Sequence, residues 1–404
     1  MPFIAIIILF CTACDKFEIS SKQAETFVRY YGIGMDDEGM QVIATDQGYL
    51  IMANVKNPGS GRDICIIKTD KYGNTIAPIT TIGGASDEIG YIIKPMGDGY
   101  IIAGSKKESQ NAVKNVYYIL LNSEGDFEGN DKTIPLANIN EAYAVFNNEA
   151  YDVFVEDDGE LVFTGYTEYS ATFEPTQQRD ILFLKYNISA NTAEFNRMGD
   201  KDEDEEAYSI ALAYDTTYIF AGYKTNSGRK KISLVRWDGK NNILVGEDIS
   251  TVGNSEAKCI INTKNKDIYG DDIFIISCNN EVITDQSQIL LVETDYTLRK
   301  DSTVVLGSFG EKSINTVQSM SFSNNSLYLC GTSSSGESDY GDMLLIRLTQ
   351  DGRNPQYLYM GDGTTYRGRG FDLTNENGYV ITGASYLNEK SMITLYKVNS
   401  EGSL

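Results

Sequence analysis

Short apolar runs of 4 to 6 residues alternate with polar turns along almost the whole chain. Runs of this length are too short for helices and predict β-strands. They also recur. A hydrophobic strand ending in a small residue appears seven times, at Met52-Ala53 and then ending at Gly104, Gly165, Gly222, Ser277, Gly331 and Gly383, at intervals of 51 to 61 residues. Self-similarity at a long period marks one supersecondary unit repeated along the chain.

Each copy has the same internal order: an apolar run, a turn, the core strand, a polar loop, a second apolar strand and another turn. In the second copy YIIKPM from Tyr91 leads through Gly97-Asp98-Gly99 into YIIAG, and YYILL from Tyr117 leads into the turn Ser123-Glu124-Gly125. Gly-Asp-Gly between apolar runs is a hairpin signal, because glycine accepts the positive φ that tight turns require. The later strand is the most regular piece, as in DICIIK from Asp63, DILFLK from Asp180 and DMLLIR from Asp342. Strands so apolar need cover on both faces, which radially packed small sheets provide. The pattern predicts an all-β chain, a seven-bladed β-propeller of four-stranded blades. TFVRYYG (Thr26–Gly32) matches the fourth strand PQYLYMG (Pro355–Gly361), while the last copy stops after its third strand near Val398. The N-terminal strand is therefore expected to complete blade seven, closing the ring and hiding its edges. Across residues 24–404 the pattern resembles the Kelch-like seven-bladed β-propellers of bacterial lipoproteins, a resemblance of fold that specifies no activity.

Phe3 to Phe10 form an unbroken apolar run, followed by Cys11-Thr12-Ala13-Cys14 and a polar chain. The run is too short to span a bilayer, and small residues before a Cys suggest a cleaved signal. It resembles a bacterial lipoprotein signal, which implies residues 1–13 as signal peptide, lipidation at Cys14, residues 14–23 as tether and an outer-membrane lipoprotein, periplasmic or surface-exposed, in the cell envelope. The plainer reading is an N-terminal strand or hydrophobic tail. Cys65, Cys259, Cys278 and Cys330 all fall in or beside apolar strands, where a thiol acts as a small hydrophobe. Cys259 and Cys278 belong to neighbouring strands, and their pairing stays open at this level.

The chain carries 57 acidic against 34 basic residues, a net charge of -23, with no long basic stretch. Nucleic acid is excluded as a partner, since phosphate binding depends on clustered Lys and Arg; membrane contact is expected only through the lipid anchor. There is no His, which removes Ser-His-Asp and Cys-His nucleophile systems and imidazole metal sites. No G-x-x-x-x-G-K-[ST] loop is present. Sialidase S-x-D-x-G-x-x-W boxes and the Trp docking motifs of quinone-dependent dehydrogenases are absent, and the single Trp, Trp237, could supply neither. No cofactor is expected, with Ca²⁺ the one ion that the carboxylates would suit.

An acidic position precedes the innermost strand of most blades: Glu38, Glu88, Glu149, Glu206 and Glu256 align, with Asn315 and Gly368 in blades six and seven. They form a candidate ring at the channel mouth, either binding a cation or an amine, or accepting hydrogen bonds from their own turns. Departures from the repeat are the better guide to function. The loop Tyr166–Arg179 of blade three carries Tyr166, Tyr169 and Phe173, and the preceding segment Ala137–Asn148 adds Tyr143 and Phe146. Exposed rings there would suit sugar stacking or a protein contact; otherwise the two loops pack on each other. Blade seven begins with GDGTTYRGRG (Gly361–Gly370), whose Tyr366, Arg367 and Arg369 are candidates to grip a ligand carboxylate or sulfate, or else to pair with the acidic ring. The run DKDEDEE (Asp200–Glu206) reads as a solvated turn or a cation loop.

The leading expectation is a non-enzymatic, lipid-anchored protein whose loop face binds a glycan, peptide or partner protein. The alternatives are a carboxylate-dependent glycoside hydrolase or lyase at the channel mouth, and a structural subunit of a surface assembly.

Overall fold

A computed structural model of the chain describes residues 26–57, 61–139, 146–169, 178–200, 203–240, 242–249, 251–267, 269–283, 286–306, 313–335, 340–363, 365–376, 378–387 and 390–404. The expected lipidation residue Cys14, the signal and tether, Tyr143 and Phe173 lie outside the described residues. The described chain is all-β, apart from one 3-10 turn at Leu136–Asn138. Its strands form antiparallel units of four, with first to fourth strands in chain order in six of them, while the seventh takes its fourth strand from the start of the described chain. The first strands are Glu38–Ala44, Asp87–Met96, Asn148–Val155, Glu205–Leu212, Asn254–Lys266, Ser313–Ser323 and Tyr366–Leu373, opening units one to seven. Units five and six are joined into one sheet by a single parallel pairing of Ser287 with Ile314.

The third strands are buried as their sequences require: Ile64 to Ile67, Ile181 to Leu184 and Met343 to Ile346 are all at most 2% exposed. Among the described residues seven hydrophobic clusters account for this burial, each shared by two neighbouring units. The cluster of units three and four centres on Trp237, whose ring stacks 5.6 Å from Phe183. Another joins Val42, Ile51 and Ile67 of unit one to Val380, Ile393 and Leu395 of unit seven. That cluster also holds Phe27 and Tyr31, from the strand Phe27–Tyr31. This strand pairs antiparallel with Lys390–Val398 and supplies the fourth strand of unit seven, as expected from its sequence. The first strand of unit one also contacts the first and second strands of unit seven.

The recurrent small residue has a specific cause. In every unit the pairing of first with second strand slips by one residue, leaving Met40, Tyr91, Tyr151, Tyr208, Lys258, Gln318 and Arg369 as bulged residues. A β-bulge bends its strand and re-aims a side chain. The residue before each bulge pairs with the small residue: Gly90 with Gly104, Ala150 with Gly165, Ala207 with Gly222 and Gly368 with Gly383. A Cβ on Gly165 would lie 1.9 Å from the Glu149 carbonyl oxygen, and one on Gly222 would lie 1.8 Å from that of Glu206. Bulge and glycine are thus two halves of one device. In unit five the small residue at this place is Cys278, one position beyond the Ser277 read from the sequence. Cys65, Cys259, Cys278 and Cys330 are all free, buried thiols. Burial pushes Cys65, Cys259 and Cys330 up to about 12, so they remain protonated.

Candidate functional site

The seven bulged residues all line one cavity of about 890 Å³. Units two to four contribute tyrosines: Tyr91 meets Tyr151 edge-on at 4.8 Å, and Tyr151 stacks on Tyr208 at 5.1 Å. Units five to seven contribute Lys258, Gln318 and Arg369, and Lys258 lies 3.7 Å over the Tyr208 ring. Smaller cavities adjoin it. One of about 220 Å³ shares Gln318 and Arg369 with it, and one of about 440 Å³ in turn shares Ile314 and Thr316 with the second.

Two residues before the bulge stands a glutamate in four units: Glu38, Glu149, Glu206 and Glu256. These side chains do not cap their own turns. Lys114 of unit two bonds Glu149 at 2.5 Å, Arg179 of unit three bonds Glu206, and Lys230 of unit four bonds Glu256 at 2.9 Å. Each of these cations stands at the start of a third strand and reaches the first strand of the next unit. Tyrosines complete the clasp: Tyr166 donates to Glu149 at 2.7 Å, Tyr223 donates to Glu206 at 2.9 Å, and Tyr91 donates to the second Glu149 oxygen. Glu38 is held by unit seven instead, with Arg369 Nε at 2.7 Å, Arg369 Nη2 at 3.2 Å and Arg367 Nη1 at 3.4 Å. Burial alone would raise these carboxyls, yet Lys114 with the two phenols holds Glu149 below its ordinary value. Arg369 and Arg367 do the same for Glu38, and Lys258 and Lys230 for Glu256. These three are ionised carboxylates at neutral pH. Burial pushes the Tyr91, Tyr151 and Tyr208 phenols far up, so they stay protonated.

Glu88 does not belong to this ring. It sits one residue out of register, in the row of Asp37, Asn148, Glu205, Ser255 and Asn315, which points between units and is at most 3% exposed. Burial raises Glu88, with Asp63 adding to the effect. The equivalent Glu205 is pushed up to about 8 by burial, with Asp180 and Asp200 adding and the Asp200 amide and Lys224 opposing. In the run Asp200–Glu206, oxygens of Asp200, Glu203 and Glu205 lie within 4.8 Å of one another. The ammonium of Lys224 contacts all three, at 3.5 Å from Glu203 and 3.8 Å from Glu205.

The aromatic loop expected in unit three is different in kind. Tyr166 is 3% exposed, because the second strand continues past Gly165 to Tyr169 and turns Tyr166 inward onto Glu149. Phe146 is also buried. Tyr366 is buried too, its hydroxyl 2.6 Å from that of Tyr30 and its ring edge-on to Tyr396 at 5.6 Å. Of the expected ligand-binding residues whose side chains are described, Arg367 and Arg369 line cavities. The bulged tyrosines were missed, although the triplets Glu149-Ala-Tyr151, Glu206-Ala-Tyr208 and Glu256-Ala-Lys258 carry a visible signal.

No protein-family model matches the chain, and no curated protein matches it. In fold it is similar to the polysaccharide lyase Uly1, with a TM-score of 0.47 and 8% identity over 92% of this chain and 91% of that one. It is also similar to the Trypanosoma rangeli sialidase in its complex with sialic acid, with a TM-score of 0.47 and 9% identity over 91% of this chain and 55% of that one. Native Bacillus subtilis arabinanase Arb43A gives a TM-score of 0.36 and 13% identity over 77% and 94%. The chain thus spans about half the length of the sialidase. These neighbours are named as a lyase, a sialidase and an arabinanase, and none of them as a binding protein. The expectation of a non-enzymatic loop-face binder is corrected on the geometry of its site: the tyrosine on which that expectation relied is buried against a carboxylate.

Proposed function

We propose that the chain is a carboxylate-dependent enzyme that cleaves glycans, by hydrolysis or elimination, in the cavity where the bulged residues of a closed seven-bladed propeller converge. Closure is supported by the pairing of Phe27–Tyr31 with Lys390–Val398 and by the hydrophobic cluster shared between units seven and one. Three cavities with shared lining residues suit a polymer better than a small metabolite.

The observation that carries the reading is Glu149. Its carboxylate, ionised at neutral pH, accepts the Tyr91 hydroxyl on one oxygen while Lys114 and Tyr166 hold the other. A carboxylate held ionised in this way fixes the Tyr91 phenol by its hydrogen bond and supplies negative charge that favours the positive charge developing on a sugar ring as the glycosidic bond breaks. Lys114 keeps the carboxylate in position throughout. Glu206, with Arg179 and Tyr223, repeats the arrangement one unit on and provides the second carboxyl that glycosidic cleavage ordinarily needs. The protonated Tyr151 lies between them, in contact with both Tyr91 and Tyr208.

The test is a panel of purified polysaccharides read two ways: new reducing ends for either reaction, and ultraviolet absorbance of the new C=C bond for elimination alone. Glu149→Gln and Tyr91→Phe are each expected to lower kcat on the responsive glycan by about 10²-fold or more. Absence of both signals across the panel, or wild-type rates in both variants, refutes the proposal. We propose in addition that Cys14 is acylated and holds the enzyme at the cell envelope, which the apolar run Phe3–Phe10 before Cys11-Thr12-Ala13-Cys14 supports. Cys14→Ala should move the chain from the membrane to the soluble fraction, and unchanged membrane association would count against the anchor.

A further inference from the structure

We infer, resting on the glycan reading proposed for this cavity, that the Tyr151 hydroxyl meets the substrate and donates a hydrogen bond to an oxygen of the sugar held there. The phenols around it are already committed. Tyr91 and Tyr166 donate to Glu149, and Tyr223 donates to Glu206. The Tyr151 hydroxyl has no hydrogen-bond partner among the described residues, although its side chain lines the cavity and feels the charge of both glutamates.

The ring, by contrast, is fully engaged. Tyr208 stacks on it at 5.1 Å with 26° between the planes, Tyr91 meets it edge-on at 4.8 Å, and Tyr166 tilts against it at 5.9 Å. Three such neighbours hold the ring in one orientation, and the face taken by Tyr208 is closed to a stacking sugar. What Tyr151 still offers is its O–H, carried into the cavity by the bulge on which it stands. Phenylalanine at this position would keep all three ring contacts, so the fold has no use for the hydroxyl, and partly burying a polar group without a partner costs stability. A residue that breaks the rule of polar satisfaction inside a cavity is where function overrides packing. Burial, with Glu206 and then Glu149 adding to it, keeps the phenol protonated. It therefore acts as a neutral donor, and its complement is an acceptor oxygen, which sugar hydroxyls and glycosidic oxygens supply.

The test compares Tyr151→Phe with Tyr166→Phe in the full chain. In melting curves Tyr151→Phe should be as stable as wild type or more stable, whereas Tyr166→Phe, which removes the 2.7 Å bond to buried Glu149, should melt lower. In calorimetric titration with glucose, xylose and uronic-acid oligomers of equal length, Tyr151→Phe should bind whichever oligomer the wild type binds about fivefold or more weakly. For an oligomer that is cleaved, kcat/KM should fall by at least the same factor. A melting temperature that falls as far in Tyr151→Phe as in Tyr166→Phe would show a hydroxyl that the fold uses, and affinity equal to wild type would show one that the sugar does not touch; either overturns the inference. Because melting and binding need no turnover, the two proposals fail separately. Binding that depends on the Tyr151 hydroxyl without cleavage of any oligomer removes the enzyme alone, cleavage and binding unchanged in Tyr151→Phe remove the contact alone, and no binding of any oligomer by wild type removes both.

Discussion

Replacing Glu205 by Gln should make the protein more stable in mild alkali and leave it unchanged in mild acid. Glu205 lies between units three and four, 3% exposed, with no hydrogen-bond partner for its second carboxylate oxygen. Its folded value is raised from the ordinary 4.5 to about 8. The folded chain therefore keeps a proton that the unfolded chain releases, and stability falls as pH rises from about 4.5 to about 8. At about 1.4 kcal/mol for each pH unit the limit is about 5 kcal/mol, and water reaching the ionised carboxylate brings the expected loss to about 2–3 kcal/mol. Glutamine has the shape and neutrality of the protonated acid, so Glu205→Gln should match wild type near pH 5 and exceed it by that amount near pH 8.5. Urea unfolding followed by Trp237 fluorescence is the assay, since Trp237 is buried in the cluster between these same two units. A difference between variant and wild type that stays constant across this range would refute the reasoning, whatever its size.

Gly165→Ala places a methyl group against the Glu149 carbonyl and should cost about 3 kcal/mol or more, with loss of any glycan cleavage as the Tyr151 bulge shifts. Chemical denaturation and the activity panel check both; unaltered stability would mean that the bulge does not need glycine. Phe27→Ala removes a ring that packs against Tyr49 in the cluster joining units one and seven, and should cost about 3–5 kcal/mol. A loss below about 1 kcal/mol in the same denaturation assay would show that the N-terminal strand does not secure the fold.

The strands were legible because the signal is local. DICIIK or DILFLK buried on both faces needs no knowledge of what lies across from it, and the match of TFVRYYG to PQYLYMG was enough to place the N-terminal strand in the last unit. Register was less legible. A bulge changes pairing by one residue without changing composition, so Glu88 was aligned with glutamates whose side chains point the opposite way. The same slip hid the bulged residues. Tyr166 was read as a loop residue because the run after Gly165 turns polar, yet the strand continues to Tyr169. A sharper signal was available: Gly165-Tyr166 and Gly222-Tyr223 repeat, as do Arg or Lys before the third strand at Lys114, Arg179 and Lys230. Tyrosine after the small residue and a cation before the third strand are the two arms of the glutamate clasp, and they meet only across the boundary between units.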